Sequence, residues 1–198
     1  MAQAKVLADR IFAAEGILAD AVRVAAANIL LILCARIAFP LPFTPVPVTG
    51  QTFGVMLVAV LLGSHRGLLT LTLYLLEGIA GLPVFAPTGA ATGPAHFLGP
   101  TAGYLLAYPP ATFVAGWLVE QSAAIRFLPL AGARLTGALI SGEVIIFLGG
   151  CIGLAAVPGI GWGHTLQAGL WPFLPGEIIK MAALVAAVRG VELARRET

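Results

Sequence analysis

Five ionisable side chains lie inside long apolar stretches of this 198-residue chain: Arg36, Glu77, Glu143, Glu177 and Lys180. A charge at the centre of a lipid bilayer costs at least ~2.5–3.5 kcal/mol on insertion scales, so each needs a partner or a polar cavity. Two interpretations are open. The five side chains pair with one another and hold a helix bundle together, or some of them line a ligand site.

Glu177 and Lys180 are the closest pair of opposite charges in this set. They are three residues apart, which places them on one face of a helix. Pro172 and Pro175 precede them, and the unpaired N–H groups of such a helix start favour an anionic group nearby. A site with both signs of charge suits a small amphiphilic ligand that carries a carboxylate and hydrogen-bonding groups.

The depth of the five charges follows from counting along each segment at about 1.5 Å per residue. This count predicts that Glu77, Glu143 and Lys180 share one layer of the membrane. Glu177 and Arg36 share a second layer, nearer the outer face.

Three tyrosines could complete such a site. Tyr74, Tyr104 and Tyr108 could supply apolar walls with a polar tip, or they could be ordinary packing residues. The three histidines have no metal-ligand spacing, so we expect no metal. The sequence has no nucleotide-binding loop of the form GxxxxGK[ST] and no paired nucleophile and base. We therefore expect neither an enzyme nor a cofactor.

The composition sets the fold class. The chain is 59% hydrophobic and 10% charged, whereas soluble domains carry about 25% charged residues. In lipid, backbone polar groups must be satisfied internally, and continuous apolar runs favour helices over barrel strands. The net charge of +2 is too small to indicate a nucleic-acid partner. The sequence predicts an all-α integral membrane bundle.

The pattern along the chain predicts one membrane domain over residues 1–198. It comprises an amphipathic cytoplasmic or interfacial segment (1–22), a bundle of six transmembrane helices (23–189) and a cytoplasmic tail (190–198). The predicted spans are 24–39, 52–62, 67–82, 102–119, 135–157 and 171–188. Pro109 and Pro110 should kink the fourth span or delay its start. Two glycine pairs, Gly99 with Gly103 and Gly149 with Gly153, have the spacing of small-residue helix contacts.

The distribution of charge predicts the orientation. The connections 40–51, 83–101 and 158–170 contain no Lys, Arg, Asp or Glu. Because cytoplasmic loops carry the excess of Lys and Arg, these three should face outward, and both termini should be cytoplasmic.

Four sequence pieces carry a resemblance to a known family. They are PFTPVPVTGQTF at 42–53, GLPVFA at 81–86, GPTAGY at 99–104 and FLPGEIIK at 173–180. In this order and spacing they resemble the BioY family, over about residues 21–189.

The resemblance implies a function and a set of partners. BioY proteins are six-helix substrate-binding subunits (S components) of energy-coupling factor transporters. They bind biotin in the outer half of the bacterial cell membrane, beneath three loops. They associate with a transmembrane coupling protein and a pair of ABC-type ATPases, and the binding subunit is thought to topple to release its ligand inside.

The resemblance also implies roles for individual positions. The family pattern at the last helix has an acidic residue followed three positions later by a lysine, and these positions correspond to Glu177 and Lys180. The family often has Asp at the first of them. Its loop patterns fall on 49–51, 84–86 and 99–104. Related subunits contact the coupling protein through an AxxxA strip on the first helix, and Ala21 and Ala25 have that spacing.

These arguments predict a high-affinity biotin-binding membrane subunit. Glu177 and Lys180 should bind the ligand, Glu143 should lie nearby and Gln51 should close the site from the first loop. The full predicted set is Glu177, Lys180, Glu143, Gln51, Tyr74, Tyr104 and Arg36. Which group meets the carboxylate and which meets the ureido ring stays open. The alternatives are an S component for another small vitamin, or a membrane structural or assembly protein whose buried charges only pair.

Overall fold

A computed structural model describes residues 6–11, 15–87, 93–123 and 131–194 of the chain. The ends of the predicted N-terminal segment and tail lie outside these residues. Most of the described chain is helical, as predicted. The elements are α1 (Leu7–Ile11), α2 (Ile17–Arg36), β1 (Ala38–Leu41), β2 (Thr44–Thr49), α3 (Gln51–Ile79), a 3-10 helix (Gly93–Leu98), α4 (Ala102–Ala123), α5 (Ala131–Ala155), α6 (Gly161–Gly169) and α7 (Leu174–Ala194).

Four of the helices formed by the described residues are long and apolar enough to cross a membrane: α2, α3, α4 and α5. The pair α6 and α7, bent by 42°, makes a fifth if it counts as one broken span. Large apolar side chains such as Ile29, Leu148 and Ile179 are exposed on these helices. Such surfaces suit a lipid environment.

Helix α3 contains the predicted second and third spans, because it turns back on itself at Gly63. Gly63 has φ 75° and ψ −159°, which no helical residue adopts. A continuous helix would separate Gln51 from Tyr74 by about 35 Å. Instead, Gln51 Nε2 donates a hydrogen bond to Tyr74 Oη at 2.7 Å. The limbs 51–62 and 64–79 are therefore antiparallel.

The turn at Gly63 depends on close approach as well as on backbone conformation. Gly116 of α4 lies against the turn, and a Cβ there would overlap the Gly63 backbone. The second limb begins at Ser64, whose N–H and Oγ donate to the Glu120 carboxylate at 2.7 and 3.0 Å. The carboxylate thus satisfies one of the N–H groups that every helix start leaves unpaired.

Glycines also allow α4 and α5 to pack closely. A Cβ on Gly149 would lie 3.0 Å from the Gly103 carbonyl oxygen, and one on Gly153 would lie 2.6 Å from Gly103 Cα. The predicted small-residue contact therefore forms between Gly103 and the Gly149–Gly153 pair. Gly99 takes no part in it, because it lies before α4 begins.

Several predicted boundaries were wrong. Helix α2 already begins at Ile17 and ends at Arg36, so residues 17–22 belong to the long helix. Residues 38–49, expected to be a connection, form an antiparallel hairpin, so the described fold is mostly helical as predicted but not entirely so. Its prolines are tolerated because both strands of a two-stranded sheet are edges.

A prediction about one connection was also wrong, and one about the prolines of α4 was wrong in part. Residues 161–169 were expected to lie in a loop, but they form α6. Helix α4 begins at Ala102 and continues through Pro109 and Pro110, so the predicted delay of its start is wrong, whereas the predicted kink stays a prediction.

The bundle has two different ends. The hairpin, the start of both α3 and α4, and α6 lie at one end, which we call the cavity end. The Gly63 turn, α1, the start of α2 and the end of α4 lie at the other, which we call the turn end. The end of α7 lies at the turn end as well, because Arg189 packs beside Gly132 at the start of α5.

Candidate functional site

A cavity with about 630 Å³ of free space, its open mouth included, lies at the cavity end. Its apolar wall is formed by Val46, Pro47, Phe85, Ala86, Leu105, Ile146, Phe147 and Phe173. Its polar groups belong to Thr49, Gln51, Thr52, His96, Thr101, Tyr104, Tyr108 and Glu177.

Glu177 is the charged residue of this wall, and it is only 5% exposed. It lies in the first turn of α7, where its charge is favoured by the helix dipole. Its Oε1 accepts from Lys180 Nζ at 2.8 Å, and its Oε2 accepts from the Thr52 hydroxyl at 2.8 Å. The carboxylate is therefore oriented by two helices, and its remaining lone pairs can accept from a ligand.

Lys180 lies behind Glu177 and is not part of the cavity wall. Its ammonium group donates to the Thr49 carbonyl at 2.6 Å and to Thr52 Oγ1 at 3.0 Å, in addition to Glu177. An ammonium group has three protons, so these bonds use all of its donors. Lys180 neutralises Glu177 and joins α7 to the start of α3.

Gln51 and Tyr74 are brought together, but only Gln51 lines the cavity. Tyr74 is fully buried behind it. Tyr74 Oη accepts from Gln51 and donates to the Val84 carbonyl at 3.0 Å. Its ring meets the edge of Phe85 at 5.2 Å between centroids. Tyr74 thus holds both Gln51 and the segment that carries Phe85 in position.

Tyr104 and Tyr108 both line the cavity, from successive turns of α4. The Tyr104 hydroxyl donates to the Gly169 carbonyl at 2.5 Å and so ties α4 to the end of α6. Tyr108 is buried, and within the described part of the chain its hydroxyl has no hydrogen-bond partner. The Tyr108 hydroxyl is therefore available to a ligand, whereas the Tyr104 hydroxyl is hydrogen-bonded within the protein.

Glu143 and Arg36 lie outside the wall. Glu143 is 5% exposed, and its buried Oε2 has no partner among the described residues. Its carboxyl lies within electrostatic range of Glu177 and Lys180. Arg36 is exposed at the end of α2 and donates to the Pro83 carbonyl, which anchors the segment that follows α3.

Glu77 lies away from the cavity, between α3 and α2. It accepts from Asn28 Nδ2 at 2.6 Å, and it has no ion pair with Arg36 or Lys180 among the described residues. Of the five charges in the apolar segments, only Glu177 and Lys180 form an ion pair within the described chain. Mutual pairing therefore does not account for the set.

His96, Ile146 and Phe147 were not predicted as wall residues, whereas Thr101 lies within the loop pattern 99–104 that the resemblance implied. Ile146 and Phe147 lie three and four residues after Glu143, a spacing that could have identified them as neighbours on one helix face. Phe173 could have been found in the same way, four residues before Glu177. His96 gave no such signal, because its position depends on the 3-10 helix.

The predicted partner-contact residues lie at the start of α2. Ala21 and Ala25 are both exposed, on a side of the helix that also exposes Leu18, Val22 and Ile29. Among the described residues, no group of three or more His, Cys, Asp or Glu side chains could hold a metal ion.

Comparisons with known proteins agree with one another. The BioY family profile matches residues 4–197. The biotin transporter BioY of Rhodobacter capsulatus is 37% identical over 164 residues, which cover 78% of this chain and 82% of that protein. The biotin transporter BioY of Rhizobium etli is 37% identical over 76% of this chain and 79% of its own length.

The fold is also similar to that of a solved structure. This is the crystal structure of the S-component for biotin from an ECF-type ABC transporter, with a TM-score of 0.78 and 27% sequence identity. The match covers 90% of this chain and 95% of the other.

Proposed function

The chain belongs to the BioY family, and we propose that it takes up biotin by binding it in the cavity beneath the β1–β2 hairpin. It is a multi-pass membrane protein and the S component of an energy-coupling factor transporter. One observation carries the assignment of the cavity. A buried carboxylate, Glu177, is fixed by Lys180 and Thr52 at the wall of a cavity that is otherwise mostly aromatic and aliphatic.

The chemistry of biotin suits this wall. Its fused rings and aliphatic tail are apolar and can pack against Phe85, Phe147 and Phe173. Its ureido group has two N–H donors, and among the described residues of the wall Glu177 is the charged acceptor. A charge-assisted hydrogen bond of this kind is roughly twice as strong as a neutral one.

We infer six crossings of the bilayer. They are α2, the two limbs of α3, α4, α5 and the α6–α7 pair. The first limb of α3 is only about 18 Å long, less than the ~30 Å of hydrocarbon, so neighbouring elements must cover its ends.

Both termini are proposed to be cytoplasmic, with the cavity opening outward. The support is the excess of arginine at the turn end, which carries Arg23, Arg66, Arg134 and Arg189, over the cavity end. This orientation is that of a protein that captures its ligand from outside a bacterial cell.

The proposed partners are a transmembrane coupling protein and ABC-type ATPases. The sequence has no nucleotide-binding loop, so another subunit must supply the energy. The exposed face of α2 that carries Ala21 and Ala25 is the proposed contact, because small residues allow helices in lipid to approach closely. Biotin is the transported ligand, and no cofactor is proposed.

The direct test is equilibrium binding of labelled biotin to the purified, detergent-solubilised chain. Saturable binding that unlabelled biotin displaces is expected, and Glu177→Gln should abolish most of it. Mass spectrometry of a ligand that copurifies with the chain would separate biotin from another vitamin. A structural or assembly protein would bind neither, and absence of both ligands would overturn the proposal.

A further inference from the structure

A hydrogen-bonded pair of side chains lies between α2 and α3, away from the cavity. Asn28 Nδ2 donates to Glu77 Oε1 at 2.6 Å. Asn28 is 4% exposed and is followed by the apolar run 29–33, and Glu77 is half-buried near the end of α3. Because both helices are long and apolar enough to cross a membrane, we place this pair in the apolar layer.

The pair is incomplete on both sides. Asn28 Oδ1 and Glu77 Oε2 are buried, and neither atom has a hydrogen-bond partner among the described residues. Each of these oxygens is two bonds from an atom of the existing hydrogen bond, since the polar atoms of an amide or a carboxyl group share one carbon. Two acceptors thus lie beside one contact without a donor. A buried polar atom without a partner is unfavourable.

No positive side chain neutralises Glu77 within the described part of the chain. The two cations of the apolar segments are used elsewhere: Arg36 donates to the Pro83 carbonyl, and Lys180 pairs with Glu177. An ionised carboxylate in hydrocarbon needs a partner of opposite charge or a polar cavity. Glu77 does not line the cavity either. A neutral carboxyl group needs neither kind of support.

The other ionisable groups on these two helices do not complete the pair. Tyr74, one turn earlier on α3, lies within electrostatic range of Glu77, and of Cys34 and Arg36 on α2. The Tyr74 hydroxyl donates to a backbone carbonyl of the segment that follows α3. Cys34 lies about 9 Å further along α2 than Asn28. The missing donor must therefore come from Glu77 itself.

One hydrogen atom completes the pair. A carboxyl group that carries a proton on Oε2 becomes a donor, and it can donate to Asn28 Oδ1 while Oε1 still accepts from Nδ2. The acid and the amide are then joined by two hydrogen bonds in a ring, and no buried charge remains. From these observations we propose that the contact between α2 and α3 is a proton-binding site, in which Asn28 holds Glu77 in its neutral form.

The bound proton links the packing of α2 to the charge of one side chain. Helix α2 packs chiefly against α3 in the described bundle. Loss of the proton would leave an unpaired charge in this contact, which is costly in hydrocarbon. Release of the proton would therefore loosen the helix that exposes Ala21 and Ala25, the proposed contact with the coupling protein. The site itself does not require biotin in the cavity.

Infrared difference spectroscopy of the full chain in detergent, at neutral pH, tests the proposal directly. A protonated carboxyl group has a carbonyl-stretching band that differs from those of carboxylate and amide groups and shifts in D₂O. Subtracting the spectrum of Glu77→Gln from that of the unaltered chain should leave this band. Gln at this position can form both hydrogen bonds of the ring, so the apparent Tm should stay within about 2 °C.

Glu15→Gln is the matched control, because Glu15 is an exposed glutamate that precedes α2. Its difference spectrum should contain carboxylate bands and no band of a protonated carboxyl group. Asn28→Leu provides the contrast in stability. It removes the amide that contacts Glu77, and the apparent Tm should fall by roughly 4–8 °C because the carboxyl group loses its hydrogen bonds.

Two results would overturn the proposal. Carboxylate bands alone in the difference spectrum of Glu77→Gln would mean that Glu77 is ionised in the folded chain. Failure of Glu77→Gln to fold, or a fall in its Tm as large as that of Asn28→Leu, would mean that a ring of two neutral hydrogen bonds does not join the helices.

Discussion

The two ends of the bundle differ in how far their charged side chains are paired within the protein. At the turn end, Asp9 pairs with Arg66 at 2.6 Å and with Arg23 at 3.4 Å. Asp20 pairs with the same two arginines, at 2.9 and 2.8 Å. Two carboxylates and two guanidinium groups thus form an ion-pair network that ties α1, α2 and α3 together.

At the cavity end the pairing is incomplete. Glu177 and Lys180 satisfy each other, but Glu177 also faces the cavity, and His96 Nδ1 is left without a partner in the described structure. The comparison shows that the number of charges does not distinguish a structural ion-pair network from a ligand-binding site. A site is distinguished by polar groups that stay available beside an enclosed apolar space.

The largest effect should follow from Lys180→Met, which leaves Glu177 buried without its countercharge. Removing one partner of a buried pair destabilises the fold by about 3–5 kcal/mol. Biotin affinity should also fall, by more than roughly 100-fold, because the carboxylate that faces the cavity loses the group that orients and neutralises it. Equilibrium binding in detergent measures the change, with Arg134→Met at the exposed turn end as the control. Normal biotin binding by the Lys180 variant would show that the ion pair at the cavity end has only a structural role as well.

A second variant sharpens this result. Glu177→Gln together with Lys180→Met removes both charges, and it should recover much of the thermal stability without recovering binding. Recovery of both properties would mean that the pair serves the fold alone.

The next largest effect, a loss of stability, should come from Gly63→Ala, which changes only the turn end. The backbone at Gly63 lies in a region that is almost restricted to glycine, and a Cβ there would overlap the Glu120 carboxylate. Strain of this kind costs about 1–3 kcal/mol, so the apparent Tm should fall. Biotin affinity of the folded fraction should change less than about threefold, because the cavity lies at the other end.

The control for Gly63→Ala is Gly137→Ala. Gly137 lies inside α5, and a Cβ there meets nothing within 4 Å. Alanine is favoured over glycine in a helix by about 1 kcal/mol, so this variant should be neutral or more stable. A similar fall in Tm for both variants would refute the special role of the turn.

A smaller effect on binding is expected from Gly78→Ala. A Cβ at position 78 would overlap the Phe85 ring, and Phe85 must then move from its place in the cavity wall. Biotin affinity should fall about tenfold, or about 1.4 kcal/mol. Gly176→Ala is the control on α7, where a Cβ has open space. An unchanged affinity would show that Phe85 does not shape the site.

The smallest effect should follow from Asp9→Asn at the turn end. Its side chain is 21% exposed, and ion pairs of this kind contribute about 0–1 kcal/mol. The apparent Tm should fall by a few degrees, and less so in high salt, which screens the network. Biotin affinity should not change, and a drop in it would mean that the two ends are coupled.

Local sequence patterns predicted much of the fold. The two limbs of α3 were expected as separate spans at 52–62 and 67–82, close to their observed bounds. The hairpin was missed because its prolines look like loop residues, and α6 was missed because it is short. Both elements gain their stability from contacts with the rest of the bundle rather than from their own propensity.

The sequence by itself determined that the chain lies in lipid, and that Glu177 and Lys180 share a helix face. These properties depend on composition and on a spacing of three residues. Only the tertiary structure decided which polar groups face the cavity. Lys180 donates hydrogen bonds to Thr49 and Thr52, which lie 131 and 128 residues away in the chain. His96 Nδ1, by contrast, has no hydrogen-bond partner among the described residues. Hydrogen-bond partners and burial come from residues that are distant in the chain, so no local pattern can reveal them.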